Sequence, residues 1–152
     1  MERTLVLVKP DGVQRGLVGT IIQRLEQRGL RLAGLKMVRV DRATAERHYE
    51  PLKDRPFFPA LIDFITSSPV VAMAWEGPHA VEAARQTMGA TNPLQAAPGT
   101  LRADYALDIQ FNLVHGSDSA ESAARELAIW FRPEELVSWT RADEDWAFGQ
   151  SK

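Results

Sequence analysis

The segment NLVHGSDS, residues 112 to 119, places a histidine where a short apolar run meets a turn of small polar residues. A neutral imidazole can act as a nucleophile, ligate a metal or serve as a buried structural group. The metal interpretation is the weakest, because the chain has no cysteine and no second histidine at ligand spacing from His115. The nearest carboxylates, on Asp118 and Glu121, have positions that suit helix capping. From the residues alone, a nucleophile and a structural histidine both remain open.

A nucleophilic histidine needs a partner that fixes its other ring nitrogen. Ser117 lies two residues after His115, and Glu126 lies in the predicted helix that follows. These two side chains are therefore the candidate orienting groups. The other histidines, His48 and His79, are interpreted as structural.

Three cationic side chains occupy positions that suit phosphate binding. Lys9 ends the apolar run TLVLVK, Arg85 lies beside the apolar stripe of a predicted helix, and Arg102 lies in an irregular stretch after Thr91. A guanidinium group offers a rigid fork of donors to phosphate oxygens, so these groups together would form a polyphosphate clamp. Taken singly, each also fits a solvated surface charge.

Two further segments bear on ligand binding. Phe57 and Phe58, between prolines in RPFFP, are predicted to be either core residues or a stacking surface for a flat ring. The glycine-containing stretch KPDGVQRGLVGT, residues 9 to 20, matches neither the Walker pattern nor the dinucleotide fingerprint. The sequence thus argues against those two nucleotide-binding folds.

Composition and charge indicate what kind of protein carries these residues. The 152 residues are 45% hydrophobic, which is enough for one globular domain with a real core. The formal net charge of −2 and the mixing of basic with acidic residues predict no nucleic-acid partner and no anionic membrane surface. The opening MERTLVLVKP is too short in its apolar part for a signal peptide or a membrane span, so we expect a cytoplasmic protein.

Apolar periodicity and turn residues predict four strands with helices between them. Strands are predicted at residues 4–9, 30–40, 70–76 and 112–115, with Pro10-Asp11-Gly12 as a turn. Helices are predicted from Gly16 to a stop at Gly29, over 41–49 and 60–65, around Val81 to Met88, and after Ser119. The apolar face of the last helix is predicted to comprise Ala120, Ala123, Ala124, Leu127, Ala128 and Phe131.

This order predicts an α+β, ferredoxin-like βαββαβ fold with a four-stranded antiparallel sheet and helices packed on it. The stretch from Gly89 to Leu107 is a long loop before the last strand, and loops of that length are usually functional or disordered. Trp139, Trp146 and Phe148 lie beyond the predicted core, and we expect them to pack on a neighbouring subunit.

Taken together, several segments closely resemble the nucleoside diphosphate kinase family. The resemblance spans nearly the whole chain in the same order, and the segment around His115 is the family's signature. It rests on ERTLVLVKPDGVQRGLVG (2–19), HYEPLKDRPFFP (48–59), SSPVVAMAWEG (67–77), MGATNP (88–93), PGTLRADY (98–105), NLVHGSDS (112–119) and WFRPEELV (130–137).

The resemblance implies an exchange of the γ-phosphoryl group of a nucleoside triphosphate, mainly ATP, with a nucleoside diphosphate, by a ping-pong mechanism through a phosphohistidine. It implies His115 as the nucleophile, with Lys9, Glu126 and Ser117 completing the catalytic group. It implies Mg²⁺ held mainly by nucleotide phosphates and water, with no dedicated metal ligands. The nucleotide site implied by position comprises Lys9, Tyr49, Phe57, Arg85, Thr91, Arg102, Ile109 and Asn112.

The resemblance also implies a homo-oligomer, with a hexamer favoured over a tetramer because the chain continues past PEELVSW. Residues 1–152 are expected to form a single domain of this family, with 138–152 as a C-terminal extension. The chain departs from the family pattern at Ala103, where glycine is common, and at Gln110-Phe111, and these departures put the local loop shape in question. Two alternatives remain: a ferredoxin-like binding module, which would bind without turnover, and a member that has lost its activity, which would show substitutions in the clamp.

Overall fold

The computed structural model describes residues 1–149, and it contains four strands and eight α-helices within that range. Three single turns of 3-10 helix lie at Glu50–Leu52, Pro93–Gln95 and Pro133–Glu135. The strands are β1 (Glu2–Val8), β2 (Arg31–Val38), β3 (Val70–Gly77) and β4 (Val114–Gly116). The helices are α1 (Pro10–Gln14), α2 (Val18–Arg28), α3 (Arg42–His48), α4 (Phe58–Ile65), α5 (Ala80–Met88), α6 (Leu101–Tyr105), α7 (Ala120–Trp130) and α8 (Glu144–Ala147).

The strands form one antiparallel sheet in the order β2-β3-β1-β4. β1 is paired on both sides, with Val8 opposite Val71 of β3 and Val114 of β4. The predicted ferredoxin-like α+β fold is confirmed. Among the described residues, no helix has both the length and the apolar character needed to span a membrane.

Side-chain alternation along β1 divides the core between the two faces of the sheet. Val6 and Val8 point to one face, where they pack with α2 and α5. Leu5 and Leu7 point to the other face, where they pack with α3, α4 and α7. Both faces are covered by helices, which explains why every residue of β3 is buried.

The predicted helix boundaries are correct where capping residues mark them. Gly29 ends α2 in the left-handed conformation, with φ of 111°. The Ser119 side chain accepts the N–H of Ser122 and so caps α7. The apolar face predicted for α7 is partly wrong, because Ala120, Ala124 and Ala128 are exposed. The face that packs on the sheet comprises Ala123, Glu126, Leu127 and Trp130.

Two short helices were not predicted. Pro10-Asp11-Gly12 begins α1 and is not an isolated turn, because proline suits the first position of a helix. The irregular stretch after Gly89 contains α6, whose N-terminus is capped by the Thr100 hydroxyl. Arg102 therefore lies on a helix and not in an irregular loop.

The segment after residue 137 packs on its own chain. The buried Arg31 guanidinium of β2 forms ion pairs with Glu76 at 3.0 Å and Glu144 at 2.8 Å. Phe148 is buried within the single chain, so the expectation that it packs on a neighbouring subunit is wrong. Trp146, by contrast, is 91% exposed.

Candidate active site

One open cavity of about 1070 Å³ lies where β1 and β4 end beside α5, α6 and α7. The antiparallel pairing of β1 with β4 sets Lys9, just past the end of β1, near Asn112 and His115. Nine of the predicted site residues line this cavity: Lys9, Tyr49, Arg85, Thr91, Arg102, Ile109, Asn112, His115 and Glu126.

His115 is held by a carboxylate from the following helix. Nε2 of His115 lies 2.9 Å from Oε1 of Glu126, and the buried Ser117 hydroxyl donates to the same oxygen at 2.7 Å. Ser117 lies behind the cavity wall and reaches the site only through Glu126. The side chain of His115 is 25% exposed, so part of its ring faces the cavity.

Glu126 is ionised in this arrangement. Burial alone would raise the pKa of Glu126, but the hydrogen bonds from His115 and Ser117 outweigh it and lower the pKa to about 2. An ionised carboxylate only accepts hydrogen bonds. Nε2 of His115 must therefore carry the proton, and the lone pair of the neutral ring is on Nδ1.

His48 packs edge-on against the reactive ring, with centroids 4.6 Å apart and planes at 81°. Its Nδ1 accepts the indole N–H of Trp130 at 3.0 Å. Burial, followed by the proximity of His115, lowers the pKa of His48 to about 3. His48 is therefore neutral, with its proton on Nε2.

That tautomer argues against a cation site at this cluster. One potential ligand atom from each of His48, His115 and Glu126 lies within 4.8 Å of the others, the one such group of three within residues 1–149. Nδ1 of His48 is occupied by the Trp130 N–H and Nε2 carries a hydrogen, so neither atom offers a free lone pair. The absence of dedicated metal ligands stays a prediction, and this geometry supports it.

The ammonium group of Lys9 is fixed by Asn112, whose Oδ1 accepts from Nζ. Nδ2 of Asn112 donates to the main-chain carbonyl of Thr91 at 2.9 Å and so ties the loop after α5 to the site. Burial lowers the pKa of Lys9 to about 8, with the charge of Asp11 acting in the opposite direction and that of Arg102 in the same direction. Lys9 is thus a cation at neutral pH that loses its charge on mild alkalinisation.

Arg102 is buried and organises the main chain around the site. Its guanidinium donates to three carbonyl oxygens, those of Gly89 at 2.9 Å, Asn112 at 3.2 Å and Val114 at 2.6 Å. Burial and the neighbouring Arg85 lower its pKa to about 10, which leaves it charged at neutral pH. Arg85 is exposed on α5, with its side chain at the cavity.

Leu113 forms a strained turn between Asn112 and β4. Its φ is 75°, and the N–H of Val114 donates to the carbonyl of Asn112 at 2.8 Å, which defines a γ-turn. His79 is the other non-glycine residue among those described with positive φ. Ala103, Gln110 and Phe111 therefore have negative φ, and none of them needs a glycine there.

The structure does not bring every predicted residue into the cavity wall. Phe57 is 48% exposed and lies outside the set that lines the cavity. Tyr49 does line it, and burial, with a contribution from Glu126, raises the pKa of its phenol to about 12. The phenol therefore stays a hydrogen-bond donor at all ordinary pH values.

Two residues beside the site were missed by sequence reasoning. His48 comes close to His115 only because α3 packs against α7, and nothing in the local sequence reveals that contact. Asp11 accepts the main-chain N–H of Leu113 through Oδ2 at 3.0 Å. Its place in a short turn motif gave no signal of this long-range bond.

A comparison with known families gives this geometry a context. The sequence model of the family described as nucleoside diphosphate kinase matches residues 2–136. The chain belongs to the nucleoside diphosphate kinase family. It is an enzyme that transfers phosphoryl groups between nucleotides, as the resemblance implied.

Individual relatives agree with membership of this family along nearly the full chain. Nucleoside diphosphate kinases of Symbiobacterium thermophilum and a Synechococcus species are 60% and 59% identical over 148 residues, which cover 97% of this chain and 98% and 99% of theirs. A family protein of Babesia bovis, 49% identical, has a TM-score of 0.95 and covers 97% of this chain and 100% of its own. A Halobacterium salinarum nucleoside diphosphate kinase, solved in complex with CDP, is 51% identical, with a TM-score of 0.94 and coverage of 97% and 98%.

Proposed function

We propose that His115 is the residue that carries the phosphoryl group, and that it does so on Nδ1. The observation that carries this proposal is the 2.9 Å contact between Nε2 of His115 and Glu126. That contact fixes the proton on Nε2 and leaves the Nδ1 lone pair free to attack. The Ser117 hydroxyl keeps the carboxylate in place by donating to the same oxygen.

In the first half-reaction, Nδ1 attacks the γ-phosphorus of a nucleoside triphosphate such as ATP. The N–P bond forms as the bond from phosphorus to the β,γ-bridging oxygen breaks, and the electron pair leaves with the diphosphate. The ring acquires positive charge, which the ionised Glu126 stabilises across the Nε2–H bond. The nucleoside diphosphate departs and phosphohistidine remains.

In the second half-reaction, a terminal phosphate oxygen of another nucleoside diphosphate attacks the same phosphorus. The P–O bond forms, the N–P bond breaks, and the electron pair returns to Nδ1 of His115. The ring is neutral again, with its proton still on Nε2. No net proton is exchanged, so Glu126 acts throughout as a fixed negative charge and not as a base.

Positive charge at the cavity supports this chemistry, because phosphoryl transfer depends mainly on positioning and charge stabilisation. Lys9 and Arg85 face the cavity directly, and the charge of the buried Arg102 reinforces them. Thr91 and Asn112 define the wall between them through the bond from Nδ2 to the Thr91 carbonyl. We propose that these groups contact the nucleotide phosphates.

We propose Mg²⁺ as the cofactor, carried in by the nucleotide and held mainly by its phosphates and water. The donor set fits this mode, because the cavity presents cationic groups, and in its one ligand cluster among the described residues His48 has no free lone pair and Glu126 is engaged by His115 and Ser117. When bound, the ion offsets phosphate charge. Chelation should therefore stop transfer without changing the melting temperature of the nucleotide-free protein.

For the nucleoside, we propose that Phe57 and Ile109 flank a base from opposite sides of the cavity mouth. Both side chains are about half exposed, at 48% and 53%, and Ile109 lines the cavity. Tyr49 lines the floor near His115. Stacking uses the flat face of a base and not its hydrogen-bonding edge, so the site would tolerate all bases.

We further propose a cytoplasmic homo-oligomer, a hexamer in preference to a tetramer, with residues 1–152 as one domain and 138–152 as its C-terminal extension. Support comes from apolar side chains that the single chain leaves open. Trp146 is 91% exposed, Trp139 is 43% exposed, and Met37 on the edge strand β2 is 63% exposed. Burial of these side chains between subunits would remove their apolar surface from water.

The test of the catalytic assignment uses nucleoside triphosphate labelled in the γ-phosphate. The parent protein should take up label that is lost in acid and retained in base, the pattern of phosphohistidine, and should pass it to any nucleoside diphosphate. His115→Ala should neither label nor transfer. His79→Asn is the matched control, since asparagine tolerates the φ of 53° at that position and another histidine is removed. Label in His115→Ala would overturn the assignment.

A further inference from the structure

The γ-turn at Leu113 connects the part of the site that contains Lys9 and Asn112 to the part that contains His115. Asn112, which holds Lys9, precedes it, and β4 with His115 follows it. Left-handed backbone is unfavourable for leucine, because its Cβ crowds the following carbonyl. Such a conformation persists only where the surroundings impose it. The question is which groups impose it here.

Both main-chain polar groups of Leu113 bond to the segment that follows β1. Its carbonyl accepts the main-chain N–H of Lys9 at 2.9 Å, and its N–H donates to Oδ2 of Asp11 at 3.0 Å. Any L-residue at position 9 other than proline supplies the first bond. The second depends on the side chain of Asp11.

We propose that Asp11 is a positioning residue for phosphoryl transfer: its carboxylate clamps the Leu113 turn and thereby sets Asn112 and His115 relative to Lys9. This inference rests on the proposed roles of Lys9 and His115. The Asp11 carboxylate bonds to the Leu113 N–H and not to the ring of His115 or to a side chain assigned to the phosphates, so its positioning effect is exerted through the turn.

The segments around the contact between Asp11 and Leu113 are tightly packed. A Cβ on Gly12 would lie 2.9 Å from the Leu113 carbonyl and 2.7 Å from the Val8 side chain, so the turn sits against the start of α1 with no space to spare. The Leu113 side chain is fully buried in the core on the same face as Val8. The turn therefore cannot move without disturbing both.

A simpler role for Asp11 is that of an acidic residue in the first turn of α1, where it interacts with the helix dipole. That role would leave its oxygens near the N-terminal N–H groups of α1. Oδ2 instead accepts the N–H of Leu113, 102 positions later in the sequence. Oδ1 is buried with no hydrogen-bond partner among residues 1–149. The long-range bond explains the side chain's orientation, and the dipole does not.

The carboxylate also affects Lys9 through its charge. Burial lowers the pKa of Lys9, and Asp11 is the group that acts against this decrease. Asp11→Asn keeps an oxygen for the Leu113 N–H and removes the charge, whereas Asp11→Ala removes both. The two variants therefore separate the clamp from the electrostatic contribution.

The experiment measures kcat and KM against pH for Asp11→Ala, Asp11→Asn, Leu113→Gly and the Asp11→Ala/Leu113→Gly double variant. Glu135→Ala is the control, because it too removes a carboxylate that accepts a main-chain N–H, here from Arg132, and neither residue lines the cavity. Measurements are made at a temperature at which circular dichroism shows every variant folded.

We expect Asp11→Ala to lower kcat on the order of 100-fold, the size of effect that misplacement of catalytic groups produces. Asp11→Asn should retain most of kcat near neutral pH, with the alkaline limb of kcat/KM displaced to lower pH. Because glycine adopts positive φ freely, the double variant should be no slower than Leu113→Gly alone. Glu135→Ala should match the parent.

Three results would overturn the inference. The first is kcat of Asp11→Ala equal to that of Glu135→Ala, and the second is Asp11→Asn as slow as Asp11→Ala at neutral pH. The third is a fold-loss of kcat in the double variant equal to the product of the fold-losses of Asp11→Ala and Leu113→Gly measured singly. Failure of the catalytic role proposed for His115 is a separate outcome. It would appear as phosphoenzyme in His115→Ala and would not change the kcat ratios of the Asp11 and Leu113 variants.

Discussion

The indole N–H of Trp130 donates to Nδ1 of His48 at 3.0 Å, with the two ring centroids 5.5 Å apart. An indole nitrogen can only donate, so this bond requires His48 to accept and fixes its tautomer. Since His48 packs edge-on against His115, the tryptophan N–H adds to burial in favouring a neutral ring beside the reactive one.

Trp130→Phe should therefore raise the pKa of His48 from about 3, because the N–H that stabilises the neutral ring is lost. Trp75→Phe is the matched control, since Trp75 is fully buried and its indole nitrogen has no partner among the described residues. Trp130→Phe should lose about 1 kcal/mol more stability than the control. Imidazole nitrogen NMR against pH, with urea denaturation, measures both. Equal stability losses with an unchanged His48 titration would contradict this account.

The same histidine predicts a dependence of stability on pH. Its folded pKa of about 3 lies below the ordinary value, so between pH 6.5 and 3 the unfolded chain binds a proton that the folded chain does not. Stability should fall as pH decreases through this window, by at most about 1.4 kcal/mol per pH unit from this group. Urea denaturation from pH 7 to 5 avoids the Glu126 titration, whose stabilisation is lost only as pH falls from about 4.5 towards 2. His48→Gln should flatten the curve, and an equally steep curve would count against His48.

Arg102 should prove structural as well as electrostatic. Arg102→Lys keeps the charge but cannot reach three carbonyls, and each buried carbonyl left unpaired costs about 1–3 kcal/mol. We expect a stability loss of about 2–4 kcal/mol together with lower activity. Arg132→Ala, at a guanidinium that is 72% exposed, should change neither quantity by much. Loss of activity in Arg102→Lys at full stability would limit the residue to phosphate contact.

Phe57→Ala should weaken binding of purine and pyrimidine nucleotides alike, by about 1–3 kcal/mol, if the ring stacks on the base. Because Phe57 is half exposed, the fold should lose little stability. Isothermal titration with four nucleoside diphosphates gives the affinities, and Trp146→Ala serves as a second exposed aromatic for comparison. An effect on one base only would be incompatible with stacking.

The proposed assembly can be tested at Trp146 without disturbing the chain's own packing. Phe148 and Glu144 are buried, so a truncation after residue 136 would also expose β2 and remove one of the two ion-pair partners of Arg31. Trp146→Ser avoids that problem. Light scattering should give a hexamer for the parent and a smaller or less heat-stable assembly for the variant. A monomeric parent would remove the basis for the hexamer.

Sequence periodicity was sufficient for the sheet and the main helices, because strong apolar patterns and caps such as Gly29 and Ser119 are local signals. It failed for α1 and α6, which are too short for a periodic signal. It also failed for Phe148, whose burial depends on the position of Leu30 and Gly77 in three dimensions.

For the site, the residue types and the family resemblance identified nine of the residues that line the cavity. What they could not supply was the arrangement of contacts between distant segments. The roles of Asp11 and Trp130 are set by hydrogen bonds to partners on other elements, and neither residue carries a motif for such a bond. The main-chain bonds of Arg102 were likewise invisible until the loop was known to fold back on β4.

The central place of β1 in the sheet has a consequence for biosynthesis. Its partners are made late, since Glu2 pairs with Gly77 and Val8 pairs with Val114. At about 5–20 residues per second, a ribosome needs roughly 5–20 s to deliver β4 after β1 has emerged. Until residue 77 has been made, the fully apolar run Leu5 to Val8 has neither of its neighbouring strands, and β4 is missing for the whole interval. The nascent chain thus exposes an incompletely paired apolar strand during this time, which is the kind of surface that chaperones recognise.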